Sequence, residues 1–170
     1  MKRFLFILFF INSICIGQDF KSIELEVCNL YSNYCVKRKV KAVVRTELDS
    51  LAYSQLNYIS TLDSIQQVSH TNNIVGLETF NQRVRHFYNY TNQQNHYAEV
   101  LSSWYTKSEN YGTEKEIAKK LFDILLSSPP HKKILDERTN KSFSFKLTKV
   151  KNGGYVLIGV FSGNSNFFIR

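Results

Sequence analysis

The sequence predicts an α+β fold in which helices cover a small antiparallel sheet. Apolar residues recur with helical spacing through most of the chain. The period then changes to two in SFSFKLTKV, residues 142–150, and the glycine turn NGG leads into the apolar run YVLIGVFS. The chain has no regular alternation of strands and helices, which a parallel α/β sheet would require.

The first 17 residues are predicted to be a secretory signal peptide. Two basic residues precede an uninterrupted apolar run, residues 4–11, which is too short to cross a bilayer. Cys15 and Gly17 occupy the −3 and −1 positions of a plausible cleavage site. We therefore expect a secreted protein, extracellular or periplasmic, with residues 18–170 as a single domain. A lipid anchor on Cys15 is the alternative.

The predicted mature chain is basic. Removing the two basic residues of the leader leaves 20 basic and 14 acidic residues, a formal charge of +6. The basic residues are scattered, apart from the run Lys37-Arg38-Lys39 with Lys41. In a secreted protein this charge favours an anionic envelope, cell wall or partner surface, and nucleic acid is not an expected partner. We expect a monomer with no transmembrane segment in the mature chain.

The two cysteines of the mature chain could form a disulfide. In one continuous helix, Cys28 and Cys35 would have Cα atoms about 10 Å apart, at a rise of ~1.5 Å per residue. A disulfide needs a separation below ~7 Å, so the bond requires the first helix to end between the two residues. The sequence leaves both arrangements open.

Two helices are predicted in the first third of the mature chain. Residues 23–34 have apolar positions at helical spacing, and the basic segment 36–44 follows as a connector or a short strand. Thr46 with Asp49 resembles a capping box that opens the second helix. The inward face of this helix is expected to consist of Leu48, Leu51, Ala52, Gln55, Ile59 and Leu62.

Two further helices are expected before the hairpin. The third follows Gly76, and its apolar face consists of Leu77, Phe80, Val84 and Phe87. Residues 89–96 are expected to be a polar loop. Thr113 and Glu116 form a capping box, which opens a helix with an inward face of Ile117, Leu121, Ile124 and Leu125.

The stretch LLSSPPHKKIL, residues 125–135, predicts the end of that helix and the start of another. Ser128 would be the N-cap of the new helix and Pro129 its first residue, because proline is tolerated at that position. His131 then lies in the first turn. There the helix dipole favours the neutral imidazole, which is the form that binds a metal.

Three residues are candidates for a functional site. His70 lies in QQVSHTNN, a polar loop just after the second helix. Glu99 is the only acid in the partly apolar segment HYAEVLSSW and needs a partner if it is buried. His131 is the third candidate. Each of the three also has an ordinary structural explanation: a loop histidine, an acid at a strand edge and a histidine in a helix cap, respectively. His86 and His96 are expected on the surface.

The order and context of these residues resemble the bacterial branch of the CAP superfamily. This superfamily comprises the cysteine-rich secretory, antigen 5 and pathogenesis-related proteins, and its domain is also called SCP. The motifs that carry the resemblance follow one another along residues 24–163: SHT with His70, F-x-x-R at Phe80 and Arg83, AEV with Glu99, and S-P-x-H ending at His131. A closing hairpin completes the pattern.

The resemblance implies a three-layer α–β–α sandwich with a central cleft. In the family, two histidines and one or two glutamates line this cleft and can bind a divalent cation. His70, Glu99 and His131 match the first histidine, one glutamate and the last histidine, which leaves a triad. Four positions depart from the family pattern: Ala98, Val100, Leu125 and Ser128 stand where a glycine, an asparagine, a tryptophan and a second glutamate are usual.

Two imidazoles and one carboxylate suit Zn²⁺ with an open coordination position, whereas Ca²⁺ requires six or more oxygens. The leading expectation is a secreted, non-catalytic CAP domain that binds a divalent cation and an extracellular lipid, sterol, cell-wall or protein ligand, partly through Tyr97, Trp104 and Tyr105. The alternative is a metal-dependent hydrolase of peptide or cell-wall material. A third possibility is a structural surface protein, in which the trio only ties loops together by hydrogen bonds.

Overall fold

The computed structural model describes residues 19–88, 96–107 and 110–163. The predicted signal peptide 1–17, the alternative anchor on Cys15 and most of the predicted polar loop lie outside the described residues. The main elements in chain order are α1 (Phe20–Lys37), β1 (Val43–Val44), α2 (Asp49–Ile59), α3 (Phe80–Phe87), β2 (Tyr97–Trp104), α4 (Glu114–Ser127), α5 (Pro129–Leu135), β3 (Ser142–Lys149) and β4 (Tyr155–Ser162). The predicted α+β class is confirmed.

The sheet has the strand order β1-β3-β4-β2. Strand β4 is antiparallel to both of its neighbours, as the predicted hairpin requires. Strand β1 instead pairs in parallel with the start of β3, with Val43 opposite Ser142. The predicted antiparallel sheet is therefore formed by β2, β3 and β4, and the two-residue strand β1 makes the sheet mixed. A parallel pair needs a long crossover, and here most of the domain lies between the two strands.

The sheet separates two hydrophobic cores, so the domain has three layers. Strand β4 is buried along its whole length, and its side chains alternate between the two faces. On one face, α1 and α4 cover a core that includes Ile23, Tyr31, Leu121, Phe143, Phe145 and Phe161. On the other, α2 and α3 cover a core that includes Leu51, Ile59, Val84, Val156, Ile158 and Val160.

Aromatic rings and one glycine fill the centre of the first core. The Tyr31 ring contacts Phe143, Phe145 and Phe161 edge to face, at centroid distances of 4.8, 5.7 and 5.3 Å. Gly159 faces the same core, and a Cβ atom there would lie 2.4 Å from a ring carbon of Phe145. The absence of a side chain at Gly159 therefore makes room for the aromatic cluster.

The helix starts agree with the predictions in part. The box of Thr113 and Glu116 forms and opens α4. Helix α3 starts later than its apolar spacing indicates, because Thr79 is its N-cap and forms a box with Gln82. The predicted box of Thr46 and Asp49 was wrong. A 3-10 turn occupies residues 46–48 without a side-chain cap.

Asp49 has partners on the sheet instead of in its own helix. Its carboxylate accepts a hydrogen bond from the Ser144 hydroxyl and forms an ion pair with Lys146, at 3.0 Å. Since both partners lie on β3, the carboxylate joins α2 to the sheet. A tertiary contact has thus replaced the local cap that the sequence pattern indicates.

The cysteines lie on one unbroken helix. Helix α1 continues through both Cys28 and Cys35, and both thiols are free and buried. The condition for a disulfide between them, a helix end in the intervening residues, is not met.

The predicted break at residues 125–135 is confirmed. Helix α4 ends at Ser127 and α5 begins at Pro129, with Ser128 as the shared cap residue. The Ser128 side chain makes no capping hydrogen bond. Within the described ranges, no helix is both long enough and apolar enough to cross a membrane.

Candidate functional site

A buried ion pair between Glu99 and Arg83 lies at the centre of the candidate site. Glu99 is the third residue of the edge strand β2 and lies on the sheet face that α2 and α3 cover. Arg83 Nη2 lies 3.1 and 2.9 Å from the two carboxylate oxygens of Glu99. The Arg83 and Glu99 side chains are 0% and 2% exposed, so each charge is compensated inside the protein.

Arg83 also ties the preceding loop, residues 70–78, to this pair. Its guanidinium donates hydrogen bonds to the carbonyl oxygens of His70, Leu77 and Glu78, at 3.2, 3.3 and 3.5 Å. The sequence placed Arg83 only in a family motif and gave it no role. The available signal was an arginine three residues after Phe80, on the inward side of an amphipathic helix.

His70 contacts the same carboxylate. Its Nδ1 atom lies 2.8 Å from Glu99 Oε1, and its side chain is 47% exposed. Since a carboxylate accepts hydrogen bonds, this contact favours the tautomer with the proton on Nδ1. The Nε2 atom of His70 then carries the lone pair that can bind a metal ion or accept a hydrogen bond from a ligand.

A buried glutamine fixes the backbone around His70. Gln55 of α2 donates hydrogen bonds from Nε2 to the carbonyl oxygens of Ser69 and Thr71, at 2.8 and 3.1 Å. Its Oε1 atom accepts one from Asn72, at 2.7 Å. The sequence placed Gln55 on the inward face of the helix, and an amide at such a position needs partners. This clamp on both neighbours of His70 was not foreseen.

His131 lies beside His70. The two ring centroids are 6.0 Å apart, and the planes are inclined at 56°. The Nδ1 atom of His131 is buried and has no hydrogen-bond partner among the described residues. Burial is the main cause that lowers the pKa of His131 below 6.5, and the neighbouring His70 lowers it further. This direction agrees with the neutral imidazole that the sequence predicts, with burial as the main cause.

The structure thus brings the three predicted residues together in an unequal way. Glu99 contacts His70 directly, whereas His131 lies beside the His70 ring. Both oxygens of Glu99 are hydrogen-bonded to Arg83. Across residues 19–88, 96–107 and 110–163, no group of three or more His, Cys, Asp and Glu side chains is placed to hold a metal ion. Metal binding by the trio stays a prediction.

The predicted ligand-contacting aromatics lie on different surfaces. Tyr97 shares the sheet face of Glu99, stacks on Tyr88 and borders a cleft of about 130 Å³ with Asn81, Val84 and Arg85. Trp104 lies on the opposite face and packs against the core that α1 and α4 cover. Tyr105 is exposed. His86 and His96 are exposed, as predicted.

Comparison with known proteins supports the fold alone. No family model matches the sequence, and no curated protein matches it. Among solved structures, the chain is similar to an outer surface protein from Borrelia burgdorferi, with a TM-score of 0.57 and 16% identity. The similarity covers 82% of this chain and 92% of that protein.

Proposed function

We propose that this protein is a secreted, non-catalytic binding domain of the CAP type, in which His70 and His131 take a divalent cation. The supporting observation is the buried, unpartnered Nδ1 atom of His131 beside a second histidine. A buried polar atom without a partner is costly unless a ligand or ion satisfies it.

The donor set fits zinc better than calcium. Both candidate ligands are imidazoles, and the lowered pKa keeps His131 neutral near pH 7, as metal binding requires. Glu99 would support the site without binding the ion. It orients the His70 ring through the contact with Nδ1, while Arg83 occupies its two oxygens. A zinc ion would supply Lewis acidity and positions for oxygen or nitrogen donors of a bound ligand.

Several observations support the proposed CAP family and the proposed location outside the cytoplasm. The ordered motifs around His70, Glu99 and His131 agree with a CAP domain, and so do the three layers of the fold. The basic and apolar leader favours secretion. The fold similarity to an outer surface protein is compatible with a location outside the cytoplasm.

The shape of the described surface bears on the ligand. The cleft beside Tyr97 measures about 130 Å³, whereas sites that enclose drug-sized molecules measure roughly 300–1,000 Å³. This cleft is therefore too small to enclose a lipid or sterol, whereas larger open concavities of about 510 and 350 Å³ lie beside His96 and Glu26.

Calorimetric titration of the metal-free mature protein, residues 18–170, with zinc tests the cation. We expect saturable binding by the wild type and loss of binding in His131→Ala. His86→Ala is the matched control, because His86 is an exposed histidine on α3. Absence of binding by the wild type would refute the cation proposal. Binding retained by His131→Ala would place the ion elsewhere.

The same proteins separate the other two functions. Zinc-dependent turnover of peptide or cell-wall substrates, lost in His131→Ala, would support the hydrolase. If His131→Ala changes only the free energy of unfolding, and neither zinc nor a ligand binds, the trio is structural.

A further inference from the structure

One end of the molecule carries almost all of its net charge. We define the basic end as residues 36–45 and 132–141, which contain nine basic and two acidic residues, a net charge of +7. The whole sequence has a net charge of +8, and two of its basic residues belong to the predicted leader. The rest of the mature chain is therefore close to neutral.

The tertiary structure assembles this end from two distant segments. Arg38 and Asp136, 98 positions apart in sequence, form an ion pair at 2.9 Å, and Arg38 also donates to the Asp136 carbonyl oxygen at 3.1 Å. The Val43 amide donates to the carbonyl oxygen of Lys141 at 3.0 Å. The sequence revealed the first basic segment alone, since the second lies beyond α4.

Most of the positive charge at this end is uncompensated. Asp136 is already shared by Arg38, Lys132 and the hydroxyl of Tyr34. Six basic side chains are exposed and take part in no ion pair within the described part of the chain: Lys37, Lys39, Lys41, Lys133, Arg138 and Lys141. A cluster of this size creates a strong local positive potential.

Apolar side chains are exposed among these lysines. Val36 is 73% exposed, and Val43 and Val44 are 48% and 51% exposed. Val36 lies in the last turn of α1, and the other two valines form the short edge strand β1. Exposed β-branched residues have no favourable contact with a purely polar polyanion, whereas the interfacial region of a bilayer accepts them.

We propose that the basic end docks the protein on the surface of a bilayer that contains anionic lipid. The lysines would contact the headgroups and the valines would enter the interface. This proposal does not depend on the metal site, because none of its residues belongs to the trio of His70, Glu99 and His131.

Co-sedimentation with vesicles of phosphatidylcholine, with and without phosphatidylglycerol, tests the proposal on residues 18–170. We expect binding to the anionic vesicles alone, and we expect it to weaken as salt is raised. The combined variant Lys37→Gln, Lys41→Gln, Lys133→Gln should bind about 100-fold more weakly, from roughly five-fold per lysine.

A matched variant controls for the overall charge. Lys21→Gln, Lys107→Gln, Lys120→Gln removes three exposed lysines from elsewhere and should keep most of the binding. Absence of wild-type binding to anionic vesicles would overturn the proposal. An equal loss in both triple variants would also overturn it, because the attraction would then follow total charge.

The valines distinguish a lipid surface from a soluble polyanion. Val36→Thr with Val43→Thr keeps the shape and the charge, and it should weaken vesicle binding roughly five-fold through lost apolar transfer. Val75→Thr is the control, since Val75 is also exposed but lies outside the basic end. If the double valine variant binds vesicles like the wild type and heparin competes fully, the basic end is a polyanion site and the lipid proposal is wrong.

Discussion

Replacing Glu99 by glutamine removes one charge from the buried pair while almost preserving its shape. The Arg83 guanidinium would then remain fully buried without a counter-charge. At the observed separation of 2.9 Å, and with an effective dielectric constant of about 20, the Coulomb attraction that is lost amounts to roughly 6 kcal/mol. Desolvation offsets part of this attraction in the native protein. Removing one partner from such pairs typically costs about 3–5 kcal/mol.

A loss of this size is a large part of the total stability of a small domain, which is about 5–15 kcal/mol. The corresponding fall in melting temperature is about 6–20 °C, at roughly 2–4 °C per kcal/mol for a domain of this length. Urea unfolding at constant pH measures the difference, provided that the slope with denaturant is unchanged. Glu99→Asp keeps the charge with a shorter reach and should lie between the wild type and Glu99→Gln.

The matched control is an exposed ion pair. Asp63 and Lys151 lie 3.0 Å apart, but their side chains are 76% and 63% exposed. We therefore expect Asp63→Asn to change the urea midpoint very little. A shift in Glu99→Gln no larger than that of Asp63→Asn would refute the view that Glu99 neutralises a buried arginine.

Three further predictions concern the surroundings of the site and the core. Gln55→Leu removes the clamp on the His70 loop and should cost about 1–3 kcal/mol in urea unfolding, whereas the exposed Gln66→Leu should not. Because the pKa of His131 is lowered in the folded state, its contribution to stability is complete above about pH 6.5 and is lost as the pH falls toward the folded-state pKa. Between about pH 7.5 and about pH 5, the urea midpoint should therefore fall more steeply in the wild type than in His131→Asn. Parallel curves for the two proteins would show that His131 does not cause the loss of stability. Gly159→Ala should lower thermal stability by about 1–3 kcal/mol through its contact with Phe145, and Phe145→Leu should partly restore it in the double variant.

Local patterns allowed much of the fold to be predicted from the sequence. The closing hairpin, the Thr113 capping box and the helix break before Pro129 each depend on a few neighbouring residues. Where a local pattern met a stronger distant contact, the prediction was wrong. Asp49 caps no helix because its partners, Ser144 and Lys146, lie on β3.

The candidate site was predictable in its histidines and its acid, but not in the interactions that hold them. The sequence identified His70, Glu99 and His131 as unusual polar residues in ordered motifs. It did not show that Arg83 pairs with Glu99, or that Gln55 fixes the loop around His70. These partners are separated along the chain, and only packing of α2 and α3 against the sheet brings them together.

The sequence by itself determined the periodicities, the turns and the total charge of this protein. Only the tertiary structure decided where the charge lies, because the pairing of β1 with β3 and the contact of Arg38 with Asp136 join two basic segments at one end. It also decided the state of the cysteines, since α1 runs unbroken through Cys28 and Cys35. The physical reason is common to these cases. Short-range propensities act within a few residues, whereas burial and long-range pairing depend on which distant surfaces meet.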